Sequence, residues 1–134
     1  MPHITVEYSA NLLPRVDPAR LVRHAHEAAA ATGTFKMGGI RTRAVPRDVF
    51  LVADGDPANA FVAVQVRIGT GRTPEVRRAL GAAIFDAVSR ELADVFVDTP
   101  LAISLEVIEI DEVAAFRKNN LHARLAGTPA DAPG

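Results

Sequence analysis

Two helix starts in this chain are written alike. Asp17-Pro18 and Thr73-Pro74 each set a capping side chain directly ahead of a proline, whose fixed φ and missing N–H suit the first helical position. A strand-like segment precedes each start and another follows it. Ile4, Val6 and Tyr8 alternate with Thr5 and Glu7. A helix is expected over about residues 18–32, with Leu21, Val22, Ala25, Ala28 and Ala29 on one face and Gly33 as terminator. Gly38 to Val45 alternates again and stops at Pro46, and Val49–Ala53 is a shorter strand candidate before the turn Asp54-Gly55-Asp56-Pro57. The second round begins with Ala60–Ile68, the most continuously apolar strand. It passes through the tight turn Gly69-Thr70-Gly71-Arg72 into a helix over about 74–93, and returns along Leu101–Ile110.

This duplicated order leaves few topologies. A strand that returns through a helix lies parallel to its predecessor, with a right-handed crossover. The expected fold is α+β: tandem β-α-β units forming one mixed sheet with two helices on one face, in a single domain over residues 1–126. Residues 112–126 read as a mixed polar closing segment, and the Pro/Gly-rich stretch 127–134 as a disordered tail. The opposite sheet face is expected to be too apolar for water, so an oligomer packed sheet against sheet is expected.

Charge and composition exclude several function classes. A formal net charge of −1 supplies no basic field for nucleic acid or an anionic membrane. With Cys 0 there is no disulfide, thiolate metal site or cysteine nucleophile. His3, His24, His26 and His122 have no metal-ligand spacing, so no metal is expected. No apolar run reaches the ~20 residues of a membrane span, and no basic-then-apolar leader opens the sequence, so a cytoplasmic protein is expected. Gly69-Thr70-Gly71 lacks the third glycine and the Lys-Ser/Thr of a phosphate loop, and a tight strand-to-helix turn accounts for it equally well.

The chemistry concentrates at the second residue. If Met1 is removed, Pro2 becomes a secondary amine, and an α-amino group titrates at ~7.7–8.0 unperturbed. A general base works best with a pKa close to the working pH. Proline is equally suited to starting a strand, since it brings no N–H to the ladder. Arg41 and Arg43 share a strand face next to Gly38-Gly39, and Arg72 sits at a helix N-terminus that already favours anions. Guanidinium groups fork onto carboxylates, and their charge would hold a nearby amine neutral. An amine base among arginines suits a substrate with several carboxylates; solvated surface charge is the plainer reading of each arginine alone.

A set of short motifs runs through the chain in order: Pro-His-x-x-Val-Glu from residue 2, Ala-Ala-Thr-Gly-x-Phe at 30–35, Gly-Ile-Arg-x-Arg at 39–43, Ala-Asp-Gly at 53–55, Ala-Phe-Val at 60–62, Ile-Gly-x-Gly-Arg at 68–72 and Phe-x-x-Asn-Asn-x-His at 116–122. Together they resemble the 5-carboxymethyl-2-hydroxymuconate delta-isomerases of the tautomerase superfamily, over about residues 2–125. The resemblance implies a homotrimer built from β-α-β units, with no cofactor, acting in bacterial homoprotocatechuate degradation. It implies an enol-to-conjugated-keto isomerisation in which Pro2 takes the 2-hydroxyl proton and returns one to C5. It further implies that Arg41 binds a carboxylate and polarises the developing oxygen charge and that Arg72 holds another carboxylate. Arg43, His3 and Asn120 give support, and His122 orders the closing segment. The alternatives are a superfamily enzyme acting on another unsaturated carboxylate, including dehalogenase or decarboxylase chemistry with a charged proline, and a non-catalytic oligomeric binding module.

Overall fold

Side chains alternating with period two decide which sheet face is covered. The computed structural model describes residues 2–127. Ile4, Val6 and Tyr8 on β1 (His3–Ser9) and Ala60, Val62, Val64, Val66 and Ile68 on β3 (Ala60–Ile68) all point to one side and are buried. β1 and β3 pair antiparallel. β2 (Arg41–Arg47) runs parallel to β1, and β4 (Leu101–Glu109) parallel to β3. The sheet order is therefore β2-β1-β3-β4, two parallel β-α-β units joined along their first strands.

Two helices cover the apolar face. In α1 (Pro18–Ala31) Asp17 accepts from the Ala19 N–H at 3.0 Å, and in α2 (Pro74–Glu91) Thr73 accepts from the Val76 N–H at 3.2 Å. Leu21, Ala25 and Ala29 of α1 and Leu80, Ile84 and Val88 of α2 form the buried stripes, each large side chain contributing about 1.5–3 kcal/mol by leaving water. Gly81 brings α2 onto β4, because a Cβ there would lie 3.2 Å from Val107 Cγ2 and 3.4 Å from Leu105 Cδ2. Among the described residues no helix is long and apolar enough to cross a membrane.

Several local expectations are corrected. Gly38 and Gly39 belong to a 3-10 turn, Met37–Gly39, and β2 starts at Arg41. β2 does not stop at Pro46 but continues to Arg47, which an edge strand permits because one side of its ladder has no partner to lose. Val49–Ala53 is a loop, not a strand. Its alternation pairs with no strand, Val49 and Leu51 are exposed, and Asn59 ties it down by donating to the Val52 carbonyl at 3.0 Å and to Asp54 at 2.8 Å. A short helix α3 (Ala93–Asp98) follows α2, and the closing segment contains a 3-10 turn, Glu112–Ala114, and a helix α4 (Leu121–Leu125). Of the tail expected at 127–134, all but Gly127 lies outside the described residues.

The sheet face opposite the helices is mixed, not uniformly apolar: Val45, Phe61 and Ile108 share it with many polar side chains. The register places His3, Arg41 and Arg67 side by side there, then Thr5, Arg43, Gln65 and Glu106, then Glu7, Ala63 and Ser104. The continuous apolar look of β3 on this face came from Phe61 and Ala63, beyond which β3 turns to Gln65 and Arg67. The face is thus less apolar than expected, and its apolar part includes Val45, Phe61, Ala63 and Ile108.

Candidate active site

Pro2 leads into β1, where its carbonyl accepts the Arg41 N–H at 3.2 Å, so the parallel β1–β2 ladder fixes the residue from its first position. Its ring is fully buried. It lines a cavity of about 510 Å³ together with Thr34, Phe35, Lys36, Gly39, Arg72, Arg117, Asn119 and His122. Four pieces of chain meet here: the start of β1, the α1–β2 connection, the turn after β3 and the closing segment.

Each wall has a local cause. The Arg72 guanidinium lies 4.7 Å over the Phe35 ring, a cation–π seat, with a long contact of 3.4 Å from Nη2 to the Thr34 carbonyl. The far wall is the closing segment. Asn119 donates from Nδ2 to the Gly38 carbonyl at 2.9 Å, and its Oδ1 accepts the Leu121 N–H at 2.6 Å, starting α4. α4 rests on the Met37–Gly39 turn through buried Ala123. Gly38 has to be glycine for this: a Cβ there would stand 2.6 Å from His122 Nδ1 and 3.0 Å from the His122 backbone nitrogen. The bare backbone at Gly38 is thus what lets His122 approach.

Among the described residues no aspartate or glutamate lines the cavity, whereas Lys36, Arg72 and Arg117 do. Among the described residues, neither Arg72 nor Lys36 forms an ion pair. Such a site attracts anions and disfavours a second positive charge, including a protonated amine.

Comparison with known proteins follows the same outline. A family model for 5-carboxymethyl-2-hydroxymuconate isomerase matches residues 2–125. The chain belongs to that family. It is 35% identical over 123 residues to the 5-carboxymethyl-2-hydroxymuconate Delta-isomerase of Escherichia coli, spanning 92% of this chain and 98% of that protein. A crystal structure of a 5-carboxymethyl-2-hydroxymuconate isomerase from Deinococcus radiodurans R1 superposes with a TM-score of 0.86 at 36% identity, covering 92% of this chain and 93% of that one. A fused 4-OT symmetric trimer shares the fold alone, with a TM-score of 0.56 at 21% identity, covering 80% of this chain and 85% of that one. The chain is thus an enzyme, an isomerase, on a fold it shares with the fused 4-OT.

Within this isomerase fold, the residues singled out from sequence fall into two groups. Pro2 and Arg72 share the cavity. Arg41 and Arg43 do not line it; they stand on the open face of β2 beside His3. There Arg41 donates to the Gly39 carbonyl at 3.1 Å, and Arg43 donates to His3 Nδ1 at 3.0 Å. Sequence reasoning did not single out Lys36, Arg117 or Asn119. Phe35 and the Asn119-Asn120 pair lay inside the motifs and could have pointed to them, whereas a lone cation in a loop carries no local signal.

The His3 imidazole is held below its ordinary pKa of 6.5 by partial burial first, then by the charges of Arg43, Arg41 and Arg67. The unfolded chain therefore takes up a proton near 6.5 that the folded chain resists. The stability from neutral His3 is present above 6.5 and is lost as pH falls below it towards the depressed folded value. Urea midpoints should fall on acidification through this window, and His3→Asn should flatten that slope. An equal slope in the variant would assign it to other groups.

Proposed function

We propose that this chain isomerises the enol 5-carboxymethyl-2-hydroxymuconate to its conjugated keto form, with the Pro2 nitrogen as general base once Met1 is removed. The observation that carries this reading is Pro2 in a cavity lined by Lys36, Arg72 and Arg117 and, among the described residues, by no carboxylate. Neighbouring cations favour the neutral amine. That amine takes the proton of the 2-hydroxyl, a dienolate forms, and the proton is returned to C5. Arg72 holds one carboxylate. Positive charge already fixed where the dienolate develops lowers the barrier without solvent reorganisation, and the chemistry calls for no cofactor.

Arg41 and Arg43 complete the site only if a second copy brings its open sheet face to this cavity. Their lack of ion-pair partners among the described residues suits that role. A homotrimer, the assembly named for the fused 4-OT neighbour, supplies such a copy, and a cytoplasmic setting fits the chemistry.

The test is a ketonisation assay on protein whose intact mass shows Met1 removed, followed across pH. A neutral-amine base gives kcat/KM that rises with pH through the Pro2 pKa and then levels. Activity that falls with rising pH would replace the base by a charged-proline acid, as in dehalogenase or decarboxylase chemistry.

A further inference from the structure

We propose that Arg117 is a specificity-determining residue of this site, gripping the carboxylate that separates a polycarboxylate enol from a monocarboxylate one, and that Glu112 positions it. The proposal rests on the reading of the Pro2 cavity as the isomerase site and adds a substrate-reading element to it.

Three carboxylates belong to the proposed substrate, and among the described residues Lys36, Arg72 and Arg117 bring positive charge to the cavity. Arg72 is seated on Phe35. Lys36 is a flexible point charge. Arg117 is different, because a carboxylate on its outer side orients it. Glu112 accepts from Arg117 Nη2 at 3.0 Å through Oε2, and through Oε1 it accepts the Thr70 N–H at 3.1 Å. Gly69 makes room for this, since a Cβ at that position would lie 2.7 Å from Glu112 Oε1. Thr70 belongs to the turn that carries Arg72. One carboxylate thus spans from the Arg72 turn to the Arg117 side chain and sets the spacing between the two guanidinium groups.

Glu112 lines the neighbouring cavity of about 320 Å³ and is absent from the lining of the Pro2 cavity, whereas Arg117 lines both. A guanidinium has five N–H donors, and this tether uses one, so the rest of the fork is available to a ligand. A guanidinium already held in place loses less freedom on binding than a free one. Arg117 does not touch the reacting atoms in this scheme. It adds binding that depends on how many carboxylates the substrate carries.

The probes are 5-carboxymethyl-2-hydroxymuconate and the enol of phenylpyruvate, which has a single carboxylate. Arg117→Gln should raise KM for the tricarboxylate by about tenfold, the size of a partly exposed charge-assisted contact, with much less change in kcat. KM for the monocarboxylate should move by less than about twofold. Arg117→Lys should recover part of the loss, and Glu112→Gln should raise KM for the tricarboxylate by a smaller factor than Arg117→Gln. Equal KM shifts on both probes, or no shift on either, would overturn the assignment of Arg117 while leaving the isomerase reading intact. Absence of turnover on both enols by the wild-type enzyme would overturn both.

Discussion

Replacing Pro2 by Ala lowers kcat by about a hundredfold and leaves the far-ultraviolet circular dichroism unchanged, since a positioned general base is worth roughly 10²–10⁴ in rate. The loss is not total because the processed alanine variant still begins with an amine. What disappears is the secondary amine and the buried ring that anchors it where the Pro2 carbonyl takes the Arg41 N–H. β1 survives, because its core contacts come from Ile4, Val6 and Tyr8. Acetylating the amino terminus of the processed wild-type protein should be harsher than the substitution, since an amide nitrogen cannot take a proton. Full turnover by either species would remove Pro2 from the chemistry.

Arg72→Ala should cost about 10- to 100-fold in kcat/KM on a carboxylated enol, the range for removing a hydrogen-bonded charge from a binding site. Arg72 has no carboxylate of its own among the described residues, so its charge is not spent within the protein. Lysine at this position should recover only part of the loss, because it keeps the charge but loses the planar fork and the stacking on Phe35. A carboxylate-bearing and a carboxylate-free enol separate the roles. Equal losses on both would mean that the substitution merely loosened the Phe35 wall, and an unchanged kcat/KM would remove Arg72 from substrate binding.

The scaffold was legible because its signals are local. Alternation in β1 and β3 and the Asp17-Pro18 and Thr73-Pro74 caps state which segments are strands and where helices begin. Alternation is silent about partners, which is why Val49–Ala53 read as a strand: nothing in its five residues says that the loop folds back on itself through Asn59 instead of adding to a sheet edge. The open face was misread for a related reason. The β3 run dominates the eye, yet the face is set by what the register places beside it, and that is His3, Arg43, Gln65 and Glu106. At the site, Pro2 and Arg72 were visible through motifs. Lys36 and Arg117 were not, because they come from separate loops and only the folded chain brings them to one cavity. Arg41 and Arg43 were assigned to Pro2 together with Arg72 through the motif resemblance and their shared strand face, whereas β2 directs them to the open face.

The Asn119–Gly38 closure has a consequence for how this molecule comes of age. It joins residues 81 positions apart, so the entropy of a long loop must be met before the wall exists. On the α4 side the return is small: Ala123 is buried, while Leu121 and Leu125 stay largely exposed. The helix-covered sheet does not depend on it. The core and the chamber beside Pro2 thus rest on different contacts in this enzyme: the first on the sheet and its two helices, the second also on one long-range hydrogen bond and a single buried alanine.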